Sequence, residues 1–323
     1  MPRRGCLLAA LIAALLLVAG GVLLGGWFGS GPLEKNTAFI VPSSASLASV
    51  AEKLEEEGAI SSAESFSLRA RIFGGGAPIK AGEFLLPKGA SEATILSIIQ
   101  GDDVVRRFVT IPEGMPSVMV QERLMAQPHL TGDIPVPKEG SILPDSYDFE
   151  RGEARSEVVR RMQAAMQRTL GELWAKRAPG IVVKTPEEAL VLASIVEKET
   201  GKPSERRLVA GLYSNRLKKG MLLQADPTII YPITKGKPLG RRIRQSEIQA
   251  VNGYNTYTMV GLPKGPITNP GRESLAAVLN PAKTDALFMV ADGSGGHAFA
   301  STLEQHNANV EKWFAIRRAK GEM

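Results

Sequence analysis

The chain contains an apolar run that ends in two acidic residues, Thr185-Pro-Glu-Glu-Ala-Leu-Val-Leu-Ala-Ser-Ile-Val-Glu-Lys-Glu-Thr-Gly201. Thr185 fits a helix N-cap, Pro186 fits the first helical position, and Gly201 marks the end of the helix. Between residues 189 and 196 only Ser194 is polar. A helix that is apolar on every side is normally buried on every side. We therefore predict a helix that other elements enclose.

The last turn of this helix carries Glu197 and Glu199. Glu197 lies near the azimuth of Leu190, and both apolar surroundings and the negative end of the helix dipole would favour its protonated form. A carboxylic acid that is neutral near pH 7 is what a general acid requires. Glu199 shares the azimuth of Ile195, so spacing alone does not choose between the two. The ordinary alternative is a solvated helix end, paired with a residue such as Lys198.

The composition is that of a folded protein with room for two modest domains. The 323 residues are 44% hydrophobic and 22% charged, and the net charge of +6 suits an anionic partner. Cys6 is the only cysteine, which excludes a disulfide framework. His129, His297 and His306 are too scattered for a metal site, and no glycine-rich phosphate loop is present. We predict no metal and no other cofactor.

The N-terminal segment predicts a membrane anchor. Residues 6–28 form an uncharged run of 23 residues, preceded by Arg3 and Arg4. This length suits a single membrane-spanning helix, and the positive flank places the N-terminus in the cytoplasm and the rest of the chain outside. Cleavage after the small residues 18–20 is the alternative, but we expect an uncleaved anchor. A chain outside the cytoplasm makes nucleic acid an unsuitable partner.

The remaining sequence predicts an α+β fold. Residues 1–35 would form the cytoplasmic stub, the transmembrane helix and a linker. Residues 36–103 read as strand, helix, helix and strand, a small module of the size of the LysM sugar-binding fold. Residues 104–323 would form a second, mixed α+β domain that contains the enclosed helix, a long amphipathic helix over 155–175 and a C-terminal hairpin.

Two segments after the enclosed helix carry side chains that suit sugar binding. Residues 223–228 offer amide, carboxylate and hydroxyl groups, and residues 254–257 place tyrosine rings around an asparagine and a threonine. Rings supply stacking faces for sugars, and amides pair with hydroxyl and acetamido groups. No nucleophile elbow or zinc-protease motif is present. Ordinary turn chemistry explains any one of these segments equally well.

Taken together, these segments resemble the endolytic murein transglycosylase family (YceG-like). The resemblance runs from about residue 105 to the C-terminus, and its segments occur in the family's order. The matching segments are residues 111–114, 140–147, 192–199, 215–217, 223–231, 254–270, 295–299 and 304–307.

The resemblance implies that Glu197 is the catalytic acid, since it follows directly after Ser-Ile-Val. It also implies a lyase that cleaves between N-acetylmuramic acid and N-acetylglucosamine in nascent peptidoglycan, leaves 1,6-anhydro ends and so ends strand elongation. The resemblance further implies a protein of the inner membrane with its catalytic region in the periplasm. The expected partners are cell-wall synthases such as penicillin-binding proteins. The candidate substrate-binding residues are Asn215, Gln224, Asp226, Thr228, Tyr254, Asn255, Tyr257 and His297.

Two other functions remain open at this point. One is a muramidase-type hydrolase that uses Glu197 together with Asp226 or Asp145. The other is a non-catalytic glycan-binding anchor that recruits cell-wall synthases. The basic segment 235–244 is usually a solvated surface, but it would also suit the carboxylates of peptide stems.

Overall fold

The computed structural model describes the backbone of residues 2–321 and the side chains of residues 10–321. The side chains of Arg3 and Arg4, which predict the membrane orientation, lie outside that range. The side chain of Cys6 lies outside it as well. The chain forms two compact units. The first unit ends at Arg107 and includes Glu150–Gly152, and the second consists of Phe108–Phe149 and the chain from Glu153 onward.

The first unit has the predicted strand, helix, helix, strand order. Its strands β1 and β2 pair antiparallel, with Phe39 opposite Phe84 in the buried core. Ser46, Ser62 and Ser91 cap their helices, because each side chain accepts a backbone N–H three residues later. Likeness to the LysM fold stays a prediction. The elements are α1 (Pro2–Phe28), β1 (Thr37–Val41), α2 (Leu47–Glu56), α3 (Ala63–Phe73), β2 (Gly82–Leu86) and α4 (Glu92–Gln100).

Helix α1 is long and apolar enough over Ala10–Phe28 to cross a membrane. From Ala10 onward its side chains are largely exposed until Trp27, which is 4% exposed and packs against the rings of Phe66 and Phe73. The same length and composition suit a membrane anchor or a signal sequence.

The second unit is mostly helical. Strand β3 is four residues long, and α9 and α11 occupy segments for which no helix was predicted. Strand β3 pairs with β4, and β5 pairs antiparallel with β6 as the predicted hairpin. The elements are β3 (Arg107–Thr110), α5 (Ser117–Met125), β4 (Ser146–Phe149), α6 (Arg155–Ala175), α7 (Pro186–Glu199), a 3-10 turn (Pro203–Glu205), α8 (Arg206–Lys218), α9 (Pro227–Thr234), α10 (Gln245–Ile248), α11 (Arg272–Leu279), β5 (Phe288–Ala291), β6 (His297–Ala300) and α12 (Leu303–Ala319).

Helix α7 is the predicted enclosed helix. The Thr185 hydroxyl caps it by accepting the Glu188 N–H at 3.2 Å. Residues 191–196 are all buried, because α6, α8, α9 and α11 pack around the helix. The Ser194 hydroxyl donates to the Val191 carbonyl at 2.7 Å and accepts the Ile267 N–H at 3.1 Å. The single polar residue of the apolar run thus ties the helix to a neighbouring loop.

Asn269 holds three segments of the second unit together from a fully buried position. Its side-chain NH₂ group donates to the Met115 carbonyl at 2.9 Å and to the Ser117 hydroxyl at 3.0 Å. Its side-chain oxygen accepts the Ile142 N–H at 3.0 Å, and its own carbonyl accepts the Gly114 N–H at 3.0 Å. A buried amide with these partners fixes loop positions that no regular element would fix.

Removal of this amide is expected to destabilise the protein strongly. Asn269→Ala leaves buried donors and acceptors unpaired, so the free energy of unfolding should fall by about 2–4 kcal/mol. Urea denaturation followed by circular dichroism measures the change. Asn307→Ala, at an exposed position of α12, is the control and should change the free energy by less than about 0.5 kcal/mol. Equal stability of the two variants would contradict the role given to Asn269.

Candidate active site

A cavity of about 340 Å³ opens beside the last turn of α7. We call it the acid cavity. Its walls come from the ends of α7 and α9, the buried face of α8, and the loop before α9. Its size falls in the range of about 300–1,000 Å³ that is typical of small-molecule sites. The lining residues are Lys198, Glu199, Leu212, Tyr213, Arg216, Leu223, Gln224, Asp226, Pro227, Ile230, Tyr257 and Met289.

Glu199 is the first of the two carboxyl groups that line the acid cavity. Its Oε1 atom is shielded from solvent and has no hydrogen-bond partner among the described residues. Burial, followed by the negative charge of Asp226, raises the pKa of Glu199 to about 8. A hydrogen bond from Tyr213 and the charge of Arg216 act in the opposite direction but are outweighed. At neutral pH the side chain is therefore mostly a neutral acid with a proton to donate.

Asp226 is the second carboxyl group of the acid cavity. It stands at the N-cap of α9, where the positive end of the helix dipole favours a negative charge. Its Oδ1 atom accepts the hydroxyl proton of Tyr257 at 2.6 Å. Burial raises the pKa of Tyr257, so this phenol stays protonated and keeps donating. The two carboxyls of the cavity thus have different surroundings: Glu199 is buried, whereas Asp226 stands at a helix N-terminus and accepts a hydrogen bond.

Arg216 and Gln224 fix the loop that forms one wall. The Arg216 side chain is buried, and its Nη1 atom donates to the Leu223 carbonyl at 2.9 Å and to Gln224 Oε1 at 3.2 Å. Its Nε atom donates to the Leu287 carbonyl at 2.6 Å. Gln224 has a φ of 51°, a left-handed conformation that is unusual for a residue other than glycine. Such conformations persist where the surroundings impose them, often at functional sites.

Glu197 points away from the acid cavity. Its surroundings are polar, so the prediction of apolar surroundings is wrong. Its Oε2 atom accepts the Gly271 N–H at 2.8 Å, and its Oε1 atom lies 3.8 Å from Nη2 of Arg206. Arg206 also pairs with Glu113 at 2.7 Å. The Glu197 side chain is 5% exposed and is not among the residues that line the acid cavity. It lies in a polar cluster of paired charges, because the loops around 113 and 271 cover this face of α7.

Three of the predicted substrate-binding residues meet in the acid cavity: Gln224, Asp226 and Tyr257. The other five do not line it, and their side chains have partners elsewhere in the second unit. Asn215 donates to the Thr284 and Ala286 carbonyls. Thr228 bonds to the Ala225 carbonyl and the Thr256 hydroxyl, and Asn255 donates to three carbonyls, including that of Ile248. The Tyr254 ring packs against Tyr231 with centroids 4.8 Å apart.

His297 is the fifth of these residues, and it pairs with a carboxylate outside the cavity. Its Nδ1 atom lies 2.8 Å from Oε2 of Glu205, which also accepts the His297 N–H at 3.1 Å on its other oxygen. Asp145, the other acid considered for hydrolysis, is exposed and accepts the N–H of the next residue, Ser146, at 2.7 Å. Among residues 10–321, no cluster of three or more His, Cys, Asp or Glu side chains has metal-binding geometry.

Tyr213 and Arg216 also line the acid cavity and act on Glu199, but neither was predicted as a site residue. Both are on α8, three residues apart, so they share one face of the helix. Burial raises the pKa of Tyr213 well above its usual value and lowers that of Arg216. In the sequence, the only indication of a role for them is that a Tyr and an Arg interrupt the apolar positions of α8. That signal is weak, because long side chains often leave such a stripe for solvent.

The match to a family model covers residues 39–312, which is most of the chain. The chain belongs to the YceG-like family. The resemblance found in the sequence is therefore confirmed. A crystal structure of a YceG-like protein, lmo1499 from Listeria monocytogenes, superposes on this YceG-like chain with a TM-score of 0.54 and 25% identity, covering 85% of this chain and 98% of that one.

Two curated relatives of this YceG-like chain bear the name endolytic murein transglycosylase. The Bacillus subtilis (strain 168) protein is 27% identical over 94% of this chain and 93% of its own length. The Streptococcus pneumoniae serotype 2 (strain D39) protein is 26% identical over 93% of this chain, but the match spans 64% of its own length.

The raised pKa of Glu199 predicts a pH-dependent cost to stability. Between its usual pKa of 4.5 and about 8, the native state holds this proton more tightly than the unfolded state does. The stability contributed by this group is therefore lost as pH rises through that interval. Glu199→Gln should melt at a higher temperature than the wild type at pH 8, and the difference should shrink towards pH 5. Glu187→Gln, exposed in the first turn of the same helix, should parallel the wild type; a Glu199→Gln curve that also does so would contradict the assignment.

Proposed function

We propose that this protein is a membrane-anchored lytic transglycosylase that cleaves within peptidoglycan strands. The carrying observation is that the Glu199 carboxyl borders a cavity of small-molecule size, where burial and the charge of Asp226 raise its pKa to about 8. The names of the relatives support the substrate and the reaction class. Helix α1 would be the anchor, with the N-terminus in the cytoplasm and the second unit in the periplasm. The LysM-like module would contact glycan, and cell-wall synthases would be partners.

The proposed reaction needs one group that gives and then takes a proton. Glu199 donates its proton to the oxygen that bridges N-acetylmuramic acid and N-acetylglucosamine, and the bond from that oxygen to the muramyl anomeric carbon breaks. The 6-hydroxyl of the muramyl residue then bonds to the same carbon, and the Glu199 carboxylate takes the hydroxyl proton. A 1,6-anhydro ring results, no water is consumed, and the enzyme returns to its starting protonation state.

The contacts support Glu199 rather than Glu197 in this role. The resemblance indicated Glu197 from its place after Ser-Ile-Val, and that assignment stays a prediction. A general acid needs a proton at neutral pH and access to substrate. Glu199 borders the acid cavity, whereas Glu197 is held by Arg206 and the Gly271 N–H behind covering loops.

Asp226 would have a different task in the same reaction. Its negative charge raises the pKa of Glu199 and so keeps the proton on that residue. An anion in the cavity would also stabilise the positive charge that develops on the sugar ring as the bond breaks. Tyr257 would hold this anion in place through its 2.6 Å hydrogen bond.

A hydrolase is the second candidate, because two carboxyls line one cavity. In that reaction Asp226 would activate a water molecule or attack the sugar itself. Mass analysis of the products separates the reactions, since hydrolysis adds one water and leaves reducing ends. A non-catalytic anchor, the third candidate, would bind murein sacculi without releasing fragments.

The two carboxyls of α7 are distinguished by matched variants. Glu199→Gln should lower the release of anhydro-ended fragments by about 10²–10⁴-fold, the usual contribution of a general acid. Glu197→Gln should keep activity within about tenfold of wild type, because it changes a charge cluster outside the cavity. Digestion of purified murein followed by mass spectrometry measures both, with circular dichroism as the folding control. The reverse pattern would assign the reaction to Glu197.

The pH dependence of cleavage should follow the surroundings of Glu199. Activity should decline above pH 8 or so, where the acid loses its proton, since its pKa is about 8. Asp226→Asn should move this decline to lower pH, because it removes the charge that raises the pKa. Tyr213→Phe should move it to higher pH, because it removes the hydrogen bond that lowers the pKa. Shifts in the same direction would contradict the electrostatic account.

A further inference from the structure

A second cavity, of about 470 Å³, adjoins the acid cavity. We call it the proline–methionine cavity. The two cavities share three lining residues, Lys198, Pro227 and Ile230, so they are neighbours separated by these side chains. The remaining lining residues are Pro112, Glu113, Gly114, Met115, Pro116, Met119, Gly236, Lys237, Pro238, Leu239 and Ile267.

The chemistry of the proline–methionine cavity differs from that of a sugar site. Its lining contains no aromatic ring and no side-chain amide, the groups on which sugars stack and to which their hydroxyls bond. Most of its walls are apolar, and methionines such as Met115 and Met119 adapt to irregular ligands. The shape is set by Gly236, whose φ is 86° and where an added Cβ would lie 2.7 Å from Cβ of Pro116.

The charges at this cavity favour an anionic ligand. Lys198 has no counter-ion among the described residues, and Lys237 is paired with the exposed Glu122. The single acidic lining residue, Glu113, is already bound by Arg206. Lys237 belongs to the basic segment 235–244, for which the sequence allowed either a solvated surface or a match to the carboxylates of peptide stems. A ligand with both apolar groups and free carboxylates would match these walls.

We propose that the proline–methionine cavity binds the peptide carried by the sugar strand, with the peptide's carboxylates near Lys198 and Lys237. This inference rests on the proposed function. Peptidoglycan peptides are short, contain alanine methyl groups and free carboxylates, and leave the strand at the lactyl group of N-acetylmuramic acid. A muramyl residue in the acid cavity would direct that group across the side chains that separate the two cavities. The enzyme would then distinguish peptide-bearing strands from stripped ones.

The test compares full-length protein on two forms of one substrate: glycan strands with their peptides, and the same strands after an amidase has removed them. Wild type should cleave the peptide-bearing form about tenfold more efficiently in kcat/KM, the size expected for one charge-assisted contact. Lys237→Glu should lose that advantage and leave cleavage of stripped strands unchanged. Lys235→Glu makes the same charge change at an exposed position that does not line the cavity, and it should behave as wild type.

A binding measurement separates this inference from the proposed reaction. Calorimetry with the Glu199→Gln protein should show tighter binding of a peptide-bearing disaccharide than of the bare disaccharide, and Lys237→Glu in the same background should remove the difference. This result would support the peptide site even if wild type cleaved neither strand. Equal losses on both substrates, or a peptide preference that Lys237→Glu leaves intact, would overturn the inference. Binding of the two disaccharides with equal affinity would also overturn it.

Discussion

The enclosure of α7 is the constraint on which the second unit depends. A helix with buried side chains on every face requires neighbours on every face, and α6, α8, α9 and α11 supply them. Its last turn leaves this core, so carboxylates appear there at the edge of apolar packing. That position raises the pKa of Glu199 and gives it a cavity to face. The same packing that stabilises the fold therefore creates the proposed acid.

The two carboxyls of this turn are separated by what covers each face of the helix. Loops that Asn269 helps to hold cover the face of Glu197 and bring the Gly271 N–H to it, and Arg206 at the start of α8 lies 3.8 Å from its Oε1 atom. Further along α8, Tyr213 and Arg216 act on Glu199 through a hydrogen bond and a positive charge. Two residues that are nearly equivalent in sequence thus receive different chemistry.

Much of the fold followed from local signals. The three serine caps of the first unit, the bounds of α6 and α7, and the C-terminal hairpin agree with the sequence, because caps, apolar spacing and glycine turns act over a few residues. Helices α9 and α11 were missed. Helix α9 contains Pro232 and begins at a proline, so its helical signal is weak, and only packing against α7 makes it regular.

The sequence by itself determined the apolar first helix, the enclosed helix with its terminal carboxylates, and membership of the YceG-like family. Local propensity and a long ordered set of motifs carry that information along the chain. Only the tertiary structure decided that Gln224, Asp226 and Tyr257 meet Glu199 at one cavity, while Asn215, Asn255 and His297 bond to groups outside it. The physical reason is that burial and charge at a carboxyl depend on residues distant in sequence, and spacing along one helix does not contain them.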